Sequence, residues 1–271
     1  MAFVALTIGF VSDLHFGPQA FHEGRLRKLT QHASVLARDV VRRMNEELRP
    51  DLLVNLGDDI EDEDRDKDLA RYGECQDILR TAKAELVNVA GNHDTMNLLR
   101  EDLNRFWKRE GPLFYSLDRG GHHVIVLHTQ EQREVDVRIP RAQIDWCKGD
   151  LARTSLPTIV LMHHSAGEQD LEDSYWFRGR RHLALVHQRR ELRAIFEESK
   201  KVRAVFNGHV HRNHMDVIRG IPYVSIQSLT ENLDPDAPGR PAASHAIATI
   251  DEGHLSVRVH GNEPSRYRVE W

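Results

Sequence analysis

Along this chain, short apolar runs alternate with longer stretches in which apolar residues recur every three or four positions, and most of the short runs end on glycine or polar residues. Residues 7–12, 52–56, 86–90, 158–162 and 202–206 have the length and the Val, Ile and Leu content of strands buried on both faces. Between the first two, Leu26, Leu29, Ala33, Leu36, Val40, Met44 and Leu48 follow at helical steps and Pro50 closes the segment, which predicts one long amphipathic helix. Leu69, Tyr72, Cys75, Leu79 and Ala82 predict a second helix, and Leu99, Leu103 and Phe106 a third. Pro140 opens a fourth with Ile144, Trp146 and Leu151, and a fifth runs through Leu185, Leu192, Ile195 and Phe196. Asp118-Arg119-Gly120-Gly121, Arg219-Gly220 and Asp251-Glu252-Gly253 each separate two β-rich runs and read as hairpins, so part of the sheet structure is antiparallel. Residues 130–138, 165–182 and 229–243 are expected to be loops. No repeat or low-complexity linker interrupts this order, and residues 1–271 are expected to form a single α/β domain.

The residues just past the ends of the five buried runs are chemically selective. The first run delivers Asp13 and His15, the second Gly57-Asp58, the third Gly91-Asn92-His93-Asp94, the fourth His163-His164 and the fifth Gly208-His209-Val210-His211. Singly, each has an ordinary explanation, such as an Asx turn at Asp13 or a helix N-cap at Asp94 or Thr95. Together they put carboxylate, imidazole and amide groups at the carboxyl ends of five strands, where sites assemble in open α/β sheets, and such a coincidence argues for one site. If the backbone stays extended, Asp13 with His15 and His209 with His211 face the same way. The donors include no sulfur and suit Mn, Fe or Zn. So many donors are too many for one ion and suit two ions sharing Asp58.

Other polar groups have plainer readings. His122, His123 and His128 sit within or at the edges of strands and read as sheet histidines, and the charges after Asp59, as far as Asp68, read as solvated surface. Trp176, Arg178 and Arg181, in the segment 165–182, suit gripping a phosphate and an organic group, while an ordinary packed loop accounts for them equally.

The series DxH at 13–15, GD at 57–58, GNHD at 91–94, HH at 163–164 and GHVH at 208–211 resembles the calcineurin-like metallophosphoesterases over nearly the whole chain. The chain's size and the GNHD form are similar to the bacterial cyclic-nucleotide and broad-specificity phosphodiesterase branch. The resemblance implies a four-layer fold, two mixed β-sheets packed face to face and flanked by helices. It implies that Asp13, His15 and His211 hold one metal, that Asn92, His163 and His209 hold the other, and that Asp58 bridges them. It further implies that His93 is the acid near the leaving group, oriented by Asp94. His163 is taken as the ligand of its pair, with His164 as a pocket residue. Glu61 departs from the pattern, which usually has a shorter Asp or Asn there. The implied activity is hydrolysis of a phosphate ester by metal-activated water, with a small phosphodiester of cyclic or linear nucleotide type ahead of a phosphomonoester. A non-catalytic interaction scaffold is the alternative, and such a scaffold would be expected to have lost donors.

Charge and cysteines narrow the partners. The net charge is -5 with basic and acidic residues interspersed, which excludes an obvious footprint for a nucleic-acid duplex or an anionic membrane. Cys75 and Cys147 lie far apart without a CxxC, which fits a reducing compartment. The N-terminal apolar run lacks a basic region and a cleavage site, and no run approaches bilayer length, so a cytoplasmic protein is expected.

Overall fold

A computed structural model describes residues 5–132, 135–235 and 237–271. Two six-stranded sheets carry the fold. The chain begins the first with β1 (Leu6–Val11), β2 (Leu52–Asn55) and β3 (Glu85–Asn88), which pair in parallel. It then builds the second from β4 (Tyr115–Arg119), β5 (His122–Val126), β6 (Thr158–Leu161), β7 (Val202–Asn207), β8 (His214–Ile218) and β9 (Ile221–Ser225), in the order β8-β9-β7-β6-β5-β4. There the four inner strands are parallel, and β4 and β8 close the edges as antiparallel hairpin partners. The chain returns to the first sheet with β10 (His245–Ile250), β11 (His254–His260) and β12 (Ser265–Glu270), an antiparallel meander beside β1.

Strand alternation explains the layering. Leu6, Ile8 and Phe10 of β1 and Leu52 and Val54 of β2 meet Val124, Val126, Ile159, Leu161 and Phe206 of the other sheet in one buried core. At its centre the rings of Phe10 and Phe206 stack with centroids 4.3 Å apart. The opposite positions, Val11 and Leu53, pack under α1 (Ala33–Arg43) and α2 (Arg65–Leu79), with α3 (Arg100–Trp107) beside them. Ile125, Val160 and Val205 pack under α4 (Arg141–Arg153) and α5 (Arg189–Ser199). Because both faces of these strands are covered, their sequences read as unbroken apolar runs. The four layers are those the sequence implied.

Several boundaries differ. The first helix begins at Ala33, not near Leu26, because residues 20–28 form a hairpin of Ala20–His22 and Arg25–Lys28 turning at Glu23 and Gly24, both at positive φ. Leu26 and Leu29 are buried in this hairpin and the turn after it, so they continue the apolar spacing without continuing the helix. Gln130–Gln132 pairs with Val135–Arg138 where a loop was expected. Leu185 bridges to Ser165 and lies outside α5. Among the described residues, no helix is long and apolar enough to cross a membrane.

Candidate metal centre and cleft

The candidate side chains gather at one end of the two sheets, but not from extended backbone. Asp13, His15, Asp58, His209 and His211 have φ of 51, 49, 57, 66 and 51°, all left-handed. Alternation therefore does not set their directions, and His209 and His211 turn into different halves of the site instead of facing the same way. The cost of such backbone, on the order of 1 kcal/mol or more per residue, is offset by bonds between loops. Asp13 N donates to Gly57 O at 2.9 Å, His15 N to Asp58 O at 3.0 Å, and His209 N to Asp13 Oδ2 at 3.0 Å. Glycine is required at two points of contact. A Cβ on Gly91 would lie 2.1 Å from Asp58 Oδ1, and one on Gly208 would lie 2.0 Å from Ser12 Oγ.

In one half, His211 Nε2 lies 3.2 Å from His15 Nε2 and 3.3 Å from Asp13 Oδ1. In the other, His163 Nε2 lies 3.1 Å from Asn92 Oδ1 and 3.2 Å from Asp58 Oδ2, with donor atoms of His163, His164 and His209 within 4.8 Å of one another. Asp13, Asp58 and His163 also form such a group, so Asp58 stands where the halves meet.

The donor chemistry fits cations, because the far nitrogen of each central imidazole is already engaged. His163 Nδ1 donates to the Leu56 carbonyl at 2.8 Å and His209 Nε2 to the Leu183 carbonyl at 3.0 Å. His15 Nδ1 faces Glu61 Oε2 at 3.0 Å, and His211 Nδ1 donates to Glu231 Oε2 at 2.6 Å. Each ring thereby turns its other nitrogen toward the buried carboxylates, as in carboxylate–histidine–metal arrangements. Without cations, protons fill their place. Burial alone would depress His163, but Asp58 and Asp13 lift it to about 10; likewise Asp13 and Glu231 lift His211 to about 9. Burial and the Lys28 ammonium push His15 down to about 4. Asp58 stays well below the usual carboxylate range despite burial, held there chiefly by His163.

His93 borders this centre. Its Nδ1 lies 2.6 Å from Asp62 Oδ1 and its Nε2 3.4 Å from Lys28 Nζ. The expectation that Asp94 orients His93 is corrected: the Asp94 carboxylate accepts from the backbone N–H groups of Asp58, Asp59 and Gly91 at 2.8–2.9 Å and ties two loops together. Asp62 holds the His93 ring instead. The acidic stretch is likewise not all solvated surface, since Glu61 and Asp62 face the site and Asp68 is fully buried, accepting from Asn97 Nδ2 at 2.8 Å. The length of Glu61, a departure in the sequence pattern, lets one carboxylate reach both His15 and Lys28 Nζ, the latter at 2.7 Å. Lys28, Asp62 and Glu231 were missed. Lys28 sat in an assumed helix, Asp62 in an acidic run and Glu231 in a proline-containing loop.

A cleft of about 250 Å³ opens over the centre, lined in part by Lys28, Asn92, His93, Trp176 and Arg180. Trp176 is thus where a substrate residue was expected, its ring edge-on to His211 with centroids 5.5 Å apart. Arg178 and Arg181 do not line this cleft: Arg178 Nε donates to Glu172 O at 2.6 Å, and Arg181 pairs with Glu168 at 3.0 Å. His164 is fully buried beneath the cleft instead of lining it, with Nδ1 2.6 Å from Thr129 Oγ1 and its ring 4.0 Å from that of His209. His123 lies outside the site, between Asp118 and Asp150 at 2.6 and 2.8 Å.

The chain is similar to known proteins. Residues 6–213 match the calcineurin-like phosphoesterase family. Over 267 residues the chain is 25% identical to a probable cyclic nucleotide phosphodiesterase of Synechococcus sp., covering 95% of this chain and 92% of that one. A cAMP/cGMP dual specificity phosphodiesterase of Mycobacterium tuberculosis is 31% identical over 191 residues, 68% of this chain and 55% of that protein. Among solved structures, a dimetal phosphatase from Danio rerio has a TM-score of 0.78 at 15% identity, covering 98% of this chain and 99% of that one. The anchor in the inner membrane complex of Plasmodium has a TM-score of 0.63 at 9% identity, covering 98% and 89%. These two likenesses concern the fold. The family match spans most of the chain, including all five donor motifs, and on that ground this protein belongs to the calcineurin-like phosphoesterases, metal-dependent hydrolases of phosphate esters.

Proposed function

We propose that the protein hydrolyses a small phosphodiester of the cyclic or linear nucleotide type, using two metal ions. Asp13, His15 and His211 would hold one ion and Asn92, His163 and His209 the other, with Asp58 shared. The observation that carries this reading is the convergence of both donor sets on Asp58 while the outer nitrogens of all four imidazoles are engaged elsewhere. Bound Mn, Fe or Zn would neutralise phosphoryl oxygens and lower the pKa of a water molecule.

The remaining chemistry falls to the chain. His93, steadied at Nδ1 by Asp62, turns Nε2 toward the cleft beside Lys28 and delivers a proton to the departing oxygen. Lys28 contributes positive charge for a phosphoryl oxygen, and Trp176 offers a flat apolar face to the organic group. Asp94 acts indirectly, by fixing the loops that carry Asp58 and Asn92. The cleft volume suits a small ester, and we take residues 1–271 as one domain serving it. The names of the two relatives favour a cyclic nucleotide. The intact donor set speaks against a non-catalytic scaffold.

Turnover of bis(p-nitrophenyl) phosphate, p-nitrophenyl phosphate and cAMP by Mn-loaded protein tests this. The diesters are expected to have the higher kcat/KM. Preference for the monoester would make the protein a phosphatase, and no turnover at full metal content would favour the scaffold.

A further inference from the structure

Behind one wall of the cleft lies a second, cationic pocket of about 370 Å³, lined by Arg25, Arg27, Tyr175, Arg178 and Arg180 together with Glu23. In a chain of net charge -5 this is a local concentration of guanidinium groups, and among the described residues none of the four arginines is in an ion pair. Arg178 and Arg180 use one N–H each on a backbone carbonyl. Arg27 is the unusual member. It is 3% exposed, its guanidinium stacks 3.7 Å over the Tyr175 ring, and its Nε has no hydrogen-bond partner.

A buried cation without a carboxylate or carbonyl costs several kcal/mol, and a planar fork of donors stacked on an aromatic face is well suited to a phosphate or carboxylate. The pocket also communicates with the centre. Arg180 lines both cavities, and both are walled by the same two segments, the hairpin of residues 20–28 and the stretch 174–180. Where the hairpin's register shifts at Arg27, Lys28 lines the metal cleft and Arg27 the arginine pocket.

We propose that the substrate carries a second anionic group beyond the ester that is cleaved, and that Arg27, Arg178 and Arg180 bind it while the scissile phosphate lies at the metals. This rests on the reading of the cleft as a phosphodiesterase site. A nucleotide with a further phosphate meets the requirement, whereas an unsubstituted cyclic nucleotide leaves the arginines unused.

The test compares thymidine 5′-(p-nitrophenyl phosphate) with its 3′-phosphorylated counterpart on the Mn-loaded full chain. The extra phosphate is expected to raise kcat/KM on the order of tenfold or more, mostly through KM. Arg27→Gln and Arg178→Gln are each expected to shrink that ratio, and Arg27→Lys to restore part of it; a ratio taken within each variant is insensitive to a loss of folded or metal-loaded protein. Added sulfate should raise KM for the 3′-phosphorylated ester more than for the singly charged one. Equal kcat/KM for the two esters, or an undiminished ratio in Arg27→Gln, would overturn the inference, as would activation of the singly charged ester by sulfate, which would make the pocket a site for a separate anion. Failure to cleave either ester would instead refute the phosphodiesterase reading.

Discussion

His93 and Asp62 form a pair that lies 2.6 Å apart at the edge of the centre, and their roles can be separated by chemistry. A proton donor of this kind contributes about 10²–10⁴-fold, most for poor leaving groups. His93→Ala is expected to keep its metal content and to lose rate steeply on alkyl phosphodiesters but only modestly on p-nitrophenyl esters. Asp62→Asn should show the same pattern more weakly, because it loosens the ring without removing it. A leaving-group series measured alongside metal analysis checks both, and losses equal across the series would assign His93 to binding the phosphoryl oxygens. At the opposite side, Glu231 accepts from His211 Nδ1, and partners of this type are worth about 10–100-fold in metal affinity. Glu231→Gln should therefore weaken Mn binding by that factor, as read by titration with a metallochromic competitor, and an unchanged affinity would make Glu231 a bystander.

At the level of elements, the loops after β1, β2, β3 and β7 are fitted to each other, and Gly208 shows how tightly. Gly208→Ala drives a methyl into Ser12 Oγ and Asp13, so it should both lower the free energy of unfolding, by about 1–3 kcal/mol, and reduce bound metal. An alanine variant with normal stability and loading would contradict this packing. Where α1 meets β10, His245 is buried with Nε2 accepting from Arg43 at 2.8 Å and Nδ1 donating to the Ala243 carbonyl at 3.2 Å. Burial first, and Arg43 after it, push this imidazole down to about 4 from an ordinary 6.5. The unfolded chain then binds the proton more readily, so stability from this residue is complete above about pH 6.5 and is lost as pH falls toward 4. A depression of that size is worth about 3 kcal/mol. In chelator-treated protein, the stability gap between wild type and His245→Gln should accordingly narrow between pH 7 and pH 5 in urea denaturation. A gap independent of pH would show that His245 contributes only its packing.

For the whole molecule, the centre joins both sheets, since Asp13, Asp58 and Asn92 follow strands of the first and His163, His209 and His211 follow strands of the second. Cations bound there would link the two sheets and stabilise the folded chain by mass action. Elemental analysis of Mn-loaded protein should approach two ions per chain, and chelation should lower the melting temperature. Because Asp58, Asp13 and Glu231 keep His163 and His211 protonated in the absence of metal, loading near pH 7.5 should release protons, and affinity should rise with pH until those imidazoles are neutral. A stoichiometry of one in active protein, or loading without proton release in a weakly buffered titration, would refute this picture.

The five buried runs, the bodies of the longer helices after residue 33 and the donor motifs were legible from the chain alone, because strands covered on both faces must be continuously apolar and polar groups directly past their ends have few other uses. Asp13, His15, Asp58, Asn92, His163, His209 and His211 could be named for that reason. How they point could not. Left-handed backbone at Asp13, His15, Asp58, His209 and His211 is imposed by hydrogen bonds between loops distant in sequence, and alternation along an extended strand does not foresee it. The same limit applied to Lys28, Asp62 and Glu231, whose residue types are common on surfaces and whose partners lie 13, 31 and 20 positions away. The hairpin of residues 20–28 counterfeited a helix because two buried leucines kept the helical spacing, and in doing so it hid both the cleft lysine and the buried arginine behind it. Pattern thus determined which residues are buried and where strands end; contacts between segments far apart in the chain decided which way each functional side chain faces and what holds it there.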